Sequence, residues 1–319
     1  MGEISDRFGS RTKSDMIMKP KVAVITLYYN RRDHVVDSIN SLLNQTYENL
    51  EIIIVDDCSK DDTYEIIQKT VTNSSRVKCL KNEHNKGFTQ TLIDTINNTE
   101  AEYIAIHGAG DISLPTRIEE QVKHLENNLQ VGVVTTDITN SKKSKFHKTE
   151  ITLDDLLQKN RITHGAVMFR KKPYDEVGGY RTFFTTRQDK DLWFRMSLIT
   201  KIHFLNKKLY ELVEIKKSVS QTASLTGMPT LISGFAKFLI LERIKTGTDS
   251  LDLFGASGAL YYNPSTANTL FYKNLRINIL QKNINNVISY LNILIKINTN
   301  RFLIAAYKIF RKLLIYSKR

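Results

Sequence analysis

Leu50 to Thr63 reads LEIIIVDDCSKDDT, an apolar run that stops at two adjacent carboxylates. Ile52, Ile53, Ile54 and Val55 do not alternate with polar residues, so a strand here must be covered on both faces, as in a parallel sheet flanked by helices. Asp56 and Asp57 then fall at the strand's carboxyl end, the edge where open α/β sheets bind ligands. A Ser- and Asp-rich turn follows, and Thr63 to Thr70 reads as a helix. A strand, an acidic tip and a helix make a candidate nucleotide site.

The neighbouring segments repeat the unit. Val22 to Leu27 reads as a buried strand, and Val35, Val36, Ile39, Leu42 and Leu43 follow at helical spacing. After the IIIV strand, Asp62 to Gln68 reads as a helix, Arg76 to Leu80 as a short strand and Phe88 to Asn97 as a helix. Tyr103 to His107 is a further strand. Pro115 opens a helix over Thr116 to Asn127, since proline is tolerated in a first turn whose N–H is unpaired anyway. VGVVTT, Val131 to Thr136, closes the series. Repeated βα units predict an α/β fold with a parallel, doubly wound sheet.

Composition bounds the function. A chain of 319 residues with 41% hydrophobic residues can build one large domain plus an appendage. Its 46 Lys and Arg against 33 Asp and Glu give +13, and the excess sits at the end, where ten bases and no acid follow Asp252. Such an end suits an anionic partner, a phospholipid surface or a nucleic acid. No recognised nucleic-acid module or exposed aromatic series accompanies the charge, which disfavours nucleic acid. Cys58 and Cys79 form no CxxC, so neither a disulfide framework nor a thiolate zinc site is indicated, and a reducing cytosol is expected. The polar first twenty residues and the lack of a long apolar run predict neither secretion nor a spanning helix.

No GxGxxG follows the first strand and no GxxxxGK[ST] occurs, which disfavours dinucleotide oxidoreductases and P-loop enzymes. What the chain does carry, in order, is KVAVITLYYN, DSINSLLNQTYENLEIIIVDDCSKDDT, NEHNKGF, EYIAIHGAGDISLPTRIEEQ, VGGYR and QDKDLWFR. This series resembles family 2 glycosyltransferases of the GT-A fold, over roughly Lys21 to Ser220. The resemblance implies a nucleotide-diphosphate sugar donor, typically a UDP sugar, and hexosyl or N-acetylhexosaminyl transfer with inversion to a glycan or lipid-linked acceptor. By motif, Thr26, Tyr28 and Asn30 would line the nucleotide mouth, Asp57, or Asp56 beside it, would bond the base, and Asn85, Lys86 and Gly87 match a third nucleotide-side loop.

The metal motif departs from the family. Where members usually read Asp-x-Asp-Asp, this chain reads Gly108-Ala109-Gly110-Asp111. Mg²⁺ or Mn²⁺ on Asp111 remains an expectation, because Mg²⁺ often takes one or two protein carboxylates plus phosphate and water. The glycines read equally as a close backbone approach to the diphosphate. His107, in an apolar strand, reads as a core histidine rather than a ligand.

For the chemistry, inverting transfer needs a carboxylate to take the acceptor hydroxyl's proton. Asp189 in QDKDLW matches the family's base, with Gln188 where Glu often stands. The competing reading makes Asp189 an N-cap of the helix that carries Leu192, Trp193 and Met196. Asp191 is then structural, and Arg187 and Lys190 read as diphosphate contacts or as solvated bases. His164 and Gly179 lie on the acceptor side by resemblance, while Asp61 and Asp62 read as caps. Asp137 has no motif behind it.

Three regions follow: a polar lead over 1–19, a GT-A domain over 20–220 and a basic helical C-terminal module over 221–319. Within the last, Lys216 to Thr230 reads as linker, Leu231 to Ile244 as a helix, and Arg301 to Tyr316 as an interfacial helix with Arg301, Lys308, Arg311 and Lys312 on one face. A cytoplasmic enzyme, peripheral on the inner face of the cell membrane, is expected. The alternative is a non-catalytic paralogue that binds nucleotide sugars.

Overall fold

The computed structural model describes residues 19–72, 74–139, 148–160, 162–213 and 228–262. The polar lead through Met18 and the basic helix expected over Arg301 to Tyr316 lie outside them.

Four strands, β1 (Val22–Tyr28), β2 (Leu50–Asp56), β3 (Val77–Lys81) and β4 (Tyr103–His107), pair in parallel in the order β3-β2-β1-β4. Helices α1 (Val35–Leu43), α2 (Thr63–Thr70) and α3 (Phe88–Asn97) make the crossovers. The non-alternating strands are sandwiched, as their composition requires. Ala23, Ile25, Ile53, Val55, Ile104 and Ile106 face one apolar cluster, with Leu92 and Ile96 of α3. Val24, Ile52, Ile54, Tyr103 and Ala105 face a second, with Ile39 and Leu42 of α1. Each valine, leucine and isoleucine among them contributes about 1.5–3 kcal/mol when fully buried, so the pleat ties both helix layers to one sheet.

Beyond β4 the sheet becomes mixed. The chain runs through β5 (Ile112–Ser113), α4 (Arg117–Glu126), β6 (Val131–Ile138), β7 (Glu150–Ile151), α5 (Leu153–Gln158), β8 (Val167–Arg170), α6 (Lys171–Glu176), α7 (Gln188–Met196) and β9 (Lys201–Glu211). The full order is β3-β2-β1-β4-β8-β6-β9-β5, with β7 on β9. β8 lies antiparallel between β4 and β6, so β6 neither closes the series nor extends the parallel run directly. A buried four-residue run has the same apolar pattern in either direction, so the sequence carries no signal for the reversal of β8 within a sheet expected to be mostly parallel.

Two further helices follow, α8 (Met228–Thr246) and α9 (Ser250–Phe254). α8 starts inside the stretch expected as linker. Phe235, Leu239 and Ile240 of α8 join the cluster that holds Phe184, Leu192 and Trp193. The boundary expected at 220 thus divides two stretches whose described parts share one core.

Candidate active site

Because β1, β2 and β4 run parallel, their carboxyl ends meet at one edge, with Tyr28 paired to Asp56 and Thr26 to His107. Asp56 is fully buried and accepts the Ser59 N–H at 3.0 Å and the Ser59 hydroxyl. Asp57 organises the next loop. Its Oδ1 accepts Asn82 Nδ2 at 2.7 Å, the Lys86 N–H at 3.0 Å and the Thr91 hydroxyl at 3.1 Å, and its Oδ2 accepts the Gly87 N–H at 2.9 Å. Asn85 Nδ2 donates to the Asp57 carbonyl at 3.2 Å. Gly87 adopts φ +83°, which glycine reaches without strain, and this turns its N–H onto the carboxylate.

Asn30, exposed and at φ 51°, joins the β1 end to the acidic turn. Its N–H donates to Ser59 Oγ at 2.9 Å and its Oδ1 accepts the Lys60 N–H at 2.8 Å. Thr26 and Tyr28 do not line the mouth with their side chains, because both are fully buried. Strand alternation turns residues 22, 24, 26 and 28 to one face, and burial pushes the Tyr28 phenol up to about 12. Tyr29, 44% exposed, stands at the mouth instead. Of the two expected caps, Asp62 occupies the N-cap of α2 without a side-chain bond, and Asp61 accepts the Thr63 N–H at 3.2 Å.

The Gly108-Ala109-Gly110-Asp111 loop leaves β4 and folds over itself. Asp111 Oδ2 accepts the Tyr210 hydroxyl at 2.7 Å and Oδ1 accepts the Val213 N–H at 3.0 Å. The Gly108 N–H donates to Tyr210 Oη at 2.9 Å, and the Gly110 N–H to Ser38 Oγ at 3.2 Å. Burial raises the Asp111 carboxyl, with Tyr210 and Val213 opposing. His107 is a core histidine: Nδ1 meets Ser113 Oγ at 3.1 Å, and Nε2 lies 3.0 Å from both Ser38 Oγ and the Asp111 carbonyl. Burial, reinforced by Arg117, lowers its pKa to about 3, so it is neutral.

These residues do not fit a divalent cation. Among the described residues no three of His, Cys, Asp and Glu converge, both Asp111 oxygens already hold protein donors, and both His107 nitrogens are engaged. Beneath the loop lies the fully buried Arg117. Its N–H groups go to Ser113 Oγ at 2.8 Å, Gln121 Oε1 at 3.2 Å, and the carbonyls of Ile106 at 2.8 Å and Val167 at 3.2 Å, while its guanidinium covers the Tyr210 ring at 4.8 Å.

Asp189 lies in the first turn of α7, half-buried, and is not the cap. That position belongs to Arg187, at φ 60° and without a side-chain bond. Asn160 Nδ2 donates to Asp189 Oδ2 at 3.1 Å, and Oδ1 takes no bond among the described residues. Gln188 is half-buried beside it. Lys190 is buried rather than solvated, and burial, with Lys237 and Arg187 nearby, lowers its pKa to about 8.

His164 meets Tyr180 Oη at 2.7 Å among the rings of Phe88, Tyr180 and Trp193. Burial lowers its pKa, opposed by the charge of Asp189. The next residue, Gly165, abuts Tyr210 and Gly108, so residues 164 and 165 link the Asp189 side to the Asp111 loop. Gly179 does not open toward an acceptor. It is buried, its carbonyl accepts Arg195 Nη2 at 2.7 Å, and a Cβ there would strike the Tyr174 ring.

Asp191 is structural as expected, held by Arg195 Nη2 at 2.7 Å and by Arg181. The Asp137 carboxylate bonds only its neighbour's N–H among the described residues. Sequence reasoning missed Tyr210, Arg117 and Asn160. A tyrosine in a strand, an arginine opening a helix and an asparagine in a polar turn carry no signal of their own.

The model of Glycosyl transferase family 2 matches residues 23–193. "Putative glycosyltransferase EpsE" of Bacillus subtilis is 33% identical over 184 residues, 55% of this chain and 66% of that protein. "UDP-Glc:alpha-D-GlcNAc-diphosphoundecaprenol beta-1,3-glucosyltransferase WfaP" of Escherichia coli is 37% identical over 105 residues, 33% of this chain and 41% of that protein. Either match thus spans less than two thirds of the relative's length. Among solved structures, S. aureus TarS 1-349 in complex with UDP-GlcNAc superposes with TM-score 0.59 at 16% identity, covering 88% of this chain and 82% of that one. The mannosyltransferase PcManGT from Pyrobaculum calidifontis, in complex with GDP-Man and Mn²⁺, gives 0.57 at 16%, covering 82% and 81%. At such identity these likenesses establish the fold, which is GT-A.

Proposed function

The chain belongs to glycosyl transferase family 2, and from that premise we propose that it moves a sugar from a nucleotide-diphosphate donor to a glycan or lipid-linked acceptor with inversion. The observation that carries this reading is Asp189, held on one oxygen by Asn160 while its other oxygen takes no bond among the described residues. In the proposed step Asp189 takes the acceptor hydroxyl's proton as that oxygen attacks the anomeric carbon. The diphosphate leaves from the opposite face with the bonding pair. The nucleoside rests against Asn30, Asn85, Lys86 and Gly87, a surface that Asp56 and Asp57 hold in shape from below.

A uridine donor is favoured by the UDP-sugar named for WfaP and bound to TarS. A lipid-linked acceptor is favoured by the diphosphoundecaprenol in the WfaP name. The acid-free basic end of the chain suits an enzyme peripheral to the inner face of an anionic membrane. No helix among the described residues is long and apolar enough to cross it.

The test is a thermal-shift panel of nucleotides and nucleotide sugars on the wild type and on Asp189→Asn, because a ligand of the native state raises the melting temperature. UDP sugars should stabilise both proteins alike, with donor turnover confined to the wild type. Equal turnover in both removes the base assignment, and stabilisation without turnover in either leaves a non-catalytic nucleotide-sugar-binding protein.

A further inference from the structure

We propose that the loop from Gly108 to Asp111 has exchanged a divalent-cation site for a hydrogen-bonded latch closed by Tyr210, and that this chain binds its nucleotide diphosphate without a divalent cation. The second clause rests on the reading above; the latch does not.

The argument begins with space. A Cβ at Gly108 would collide with the Asp111 carboxylate and approach Tyr210 Oη to 3.3 Å. A Cβ at Gly165 would collide with the same hydroxyl. The volume that an aspartate at position 108 would need is therefore already occupied, by the carboxylate of Asp111 and the phenol of Tyr210. The two features are complementary: the loop lacks its first acid where Asp111 leans back, and glycine is the residue that permits the lean.

Bonding follows the same pattern. Tyr210 accepts the Gly108 N–H and donates to Asp111, while the Val213 N–H satisfies the second carboxylate oxygen. These three bonds pin the end of β9 and the segment after it onto the loop that leaves β4. A carboxylate used in this way is directed into its own loop.

Charge points in the same direction. Arg117 is fully buried, sits over the Tyr210 ring and, among the described residues, has no carboxylate in hydrogen-bond contact, its N–H groups being given to oxygens of Ser113, Gln121, Ile106 and Val167. It is a fixed positive charge beneath the loop that already offsets Asp111. Like charges in a weakly screened interior repel, so a divalent ion placed above it meets one carboxylate and one opposing cation. His107, the other metal-binding side chain adjoining the loop among the described residues, has both nitrogens committed.

Two sets of measurements separate latch from metal site. First, calorimetric titration with UDP in Mn²⁺ and in excess EDTA should give affinities within about twofold of each other, less than 0.5 kcal/mol. The spin-resonance signal of free Mn²⁺ should be no lower with protein present than without it. Second, in chemical denaturation, Tyr210→Phe and Asp111→Asn should each lower the midpoint, and the double variant should lose less than the sum, because the two side chains share one bond. A tenfold or greater loss of UDP affinity in EDTA, restored by Mn²⁺ and absent in Asp111→Ala, overturns the cation-free claim. Mn²⁺ uptake by the nucleotide-free protein that disappears in Asp111→Ala overturns it equally. Additive midpoints overturn the latch. If UDP binds under neither condition, the functional reading fails, while the latch is still decided by the midpoints and the site by Mn²⁺ uptake.

Discussion

Replacing Arg181 with methionine should destabilise the protein by about 3 kcal/mol, the lower end of what breaking a buried ion pair costs. Arg181 lies in the turn after Gly179 with its side chain 12% exposed, between Asp191 at 2% and Asp249 at 1%. Its Nε donates to Asp191 Oδ2 at 3.0 Å, and its Nη1 donates to Asp249 at 2.9 and 3.0 Å and to Asp252 at 3.1 Å. Neither buried carboxylate would be stripped bare. Asp191 keeps Arg195 Nε at 3.1 Å and Nη2 at 2.7 Å, and Asp249 keeps Arg243 Nη2 at 2.7 Å and the N–H groups of Leu251 and Asp252 at 3.1 Å. The retained partners place the estimate at the low end of the range. Urea denaturation of the wild type and Arg181→Met reads it directly, and donor turnover should fall as well, because the turn at Arg181 braces the helix that carries Asp189. A loss below about 1 kcal/mol, the value of an exposed pair, would refute the claim that this network joins α7 to the C-terminal helices.

Asp189→Asn should lower turnover by about 10² or more with donor affinity nearly unchanged, as expected for lost acid–base catalysis and checked by steady-state kinetics. Gly165→Ala should cost about 1–3 kcal/mol by overpacking against Tyr210, read as a lowered denaturation midpoint. Acidification should destabilise the fold through buried histidines. Below the ordinary pKa of 6.5 the unfolded chain binds a proton that native His107, with a pKa of about 3, refuses, so stability rises with pH across that window and is flat above it. The slope from this residue approaches about 1.4 kcal/mol per pH unit, and His107→Asn should flatten the melting profile between pH 5 and 6.5. Full-length protein should sediment with anionic vesicles at low salt and a chain ending at Asn300 should not, by about 1 kcal/mol per basic residue at the surface.

The sheet was legible where burial on two faces leaves a mark. Ile52 to Val55 cannot face water on either side, so parallel strands and flanking helices followed from the residues themselves. β8 was not legible in direction, since Val167, Met168 and Phe169 satisfy the same burial in either sense. At the site, the clustering of Asp56, Asp57 and Asn85 to Gly87 at the carboxyl edge followed from chain direction alone. Which face Thr26 and Tyr28 occupy did not, because a motif position specifies place along a strand and says nothing about the pleat. The arginine network escaped for another reason: Arg181 and Asp249 lie 68 positions apart, and only the fold of α8 and α9 onto α7 brings them together.

The first turn of α7 shows why two aspartates two positions apart suit this site. Residues i and i+2 on a helix are about 200° apart around the axis, so Asp189 and Asp191 cannot share a face. One is half-buried with an oxygen free of bonds among the described residues, and the other is buried against Arg181 and Arg195. Burial pushes the Asp191 carboxyl up, and the two arginines outweigh it and hold it below the usual range. The Asp191 contribution is therefore complete above the ordinary carboxylate pKa and lost only as pH falls through the lower, folded one. At neutral pH the anchor is ionised and fixed, which would keep the turn beneath Asp189 rigid during the proposed proton transfer, a step that needs a stationary acceptor oxygen. Exchanging the roles by Asp189→Asn with Asp191 intact removes the proton acceptor and leaves the anchor, whereas Asp191→Asn should loosen the turn, lowering stability and turnover together. That pairing of outcomes distinguishes a base from its brace.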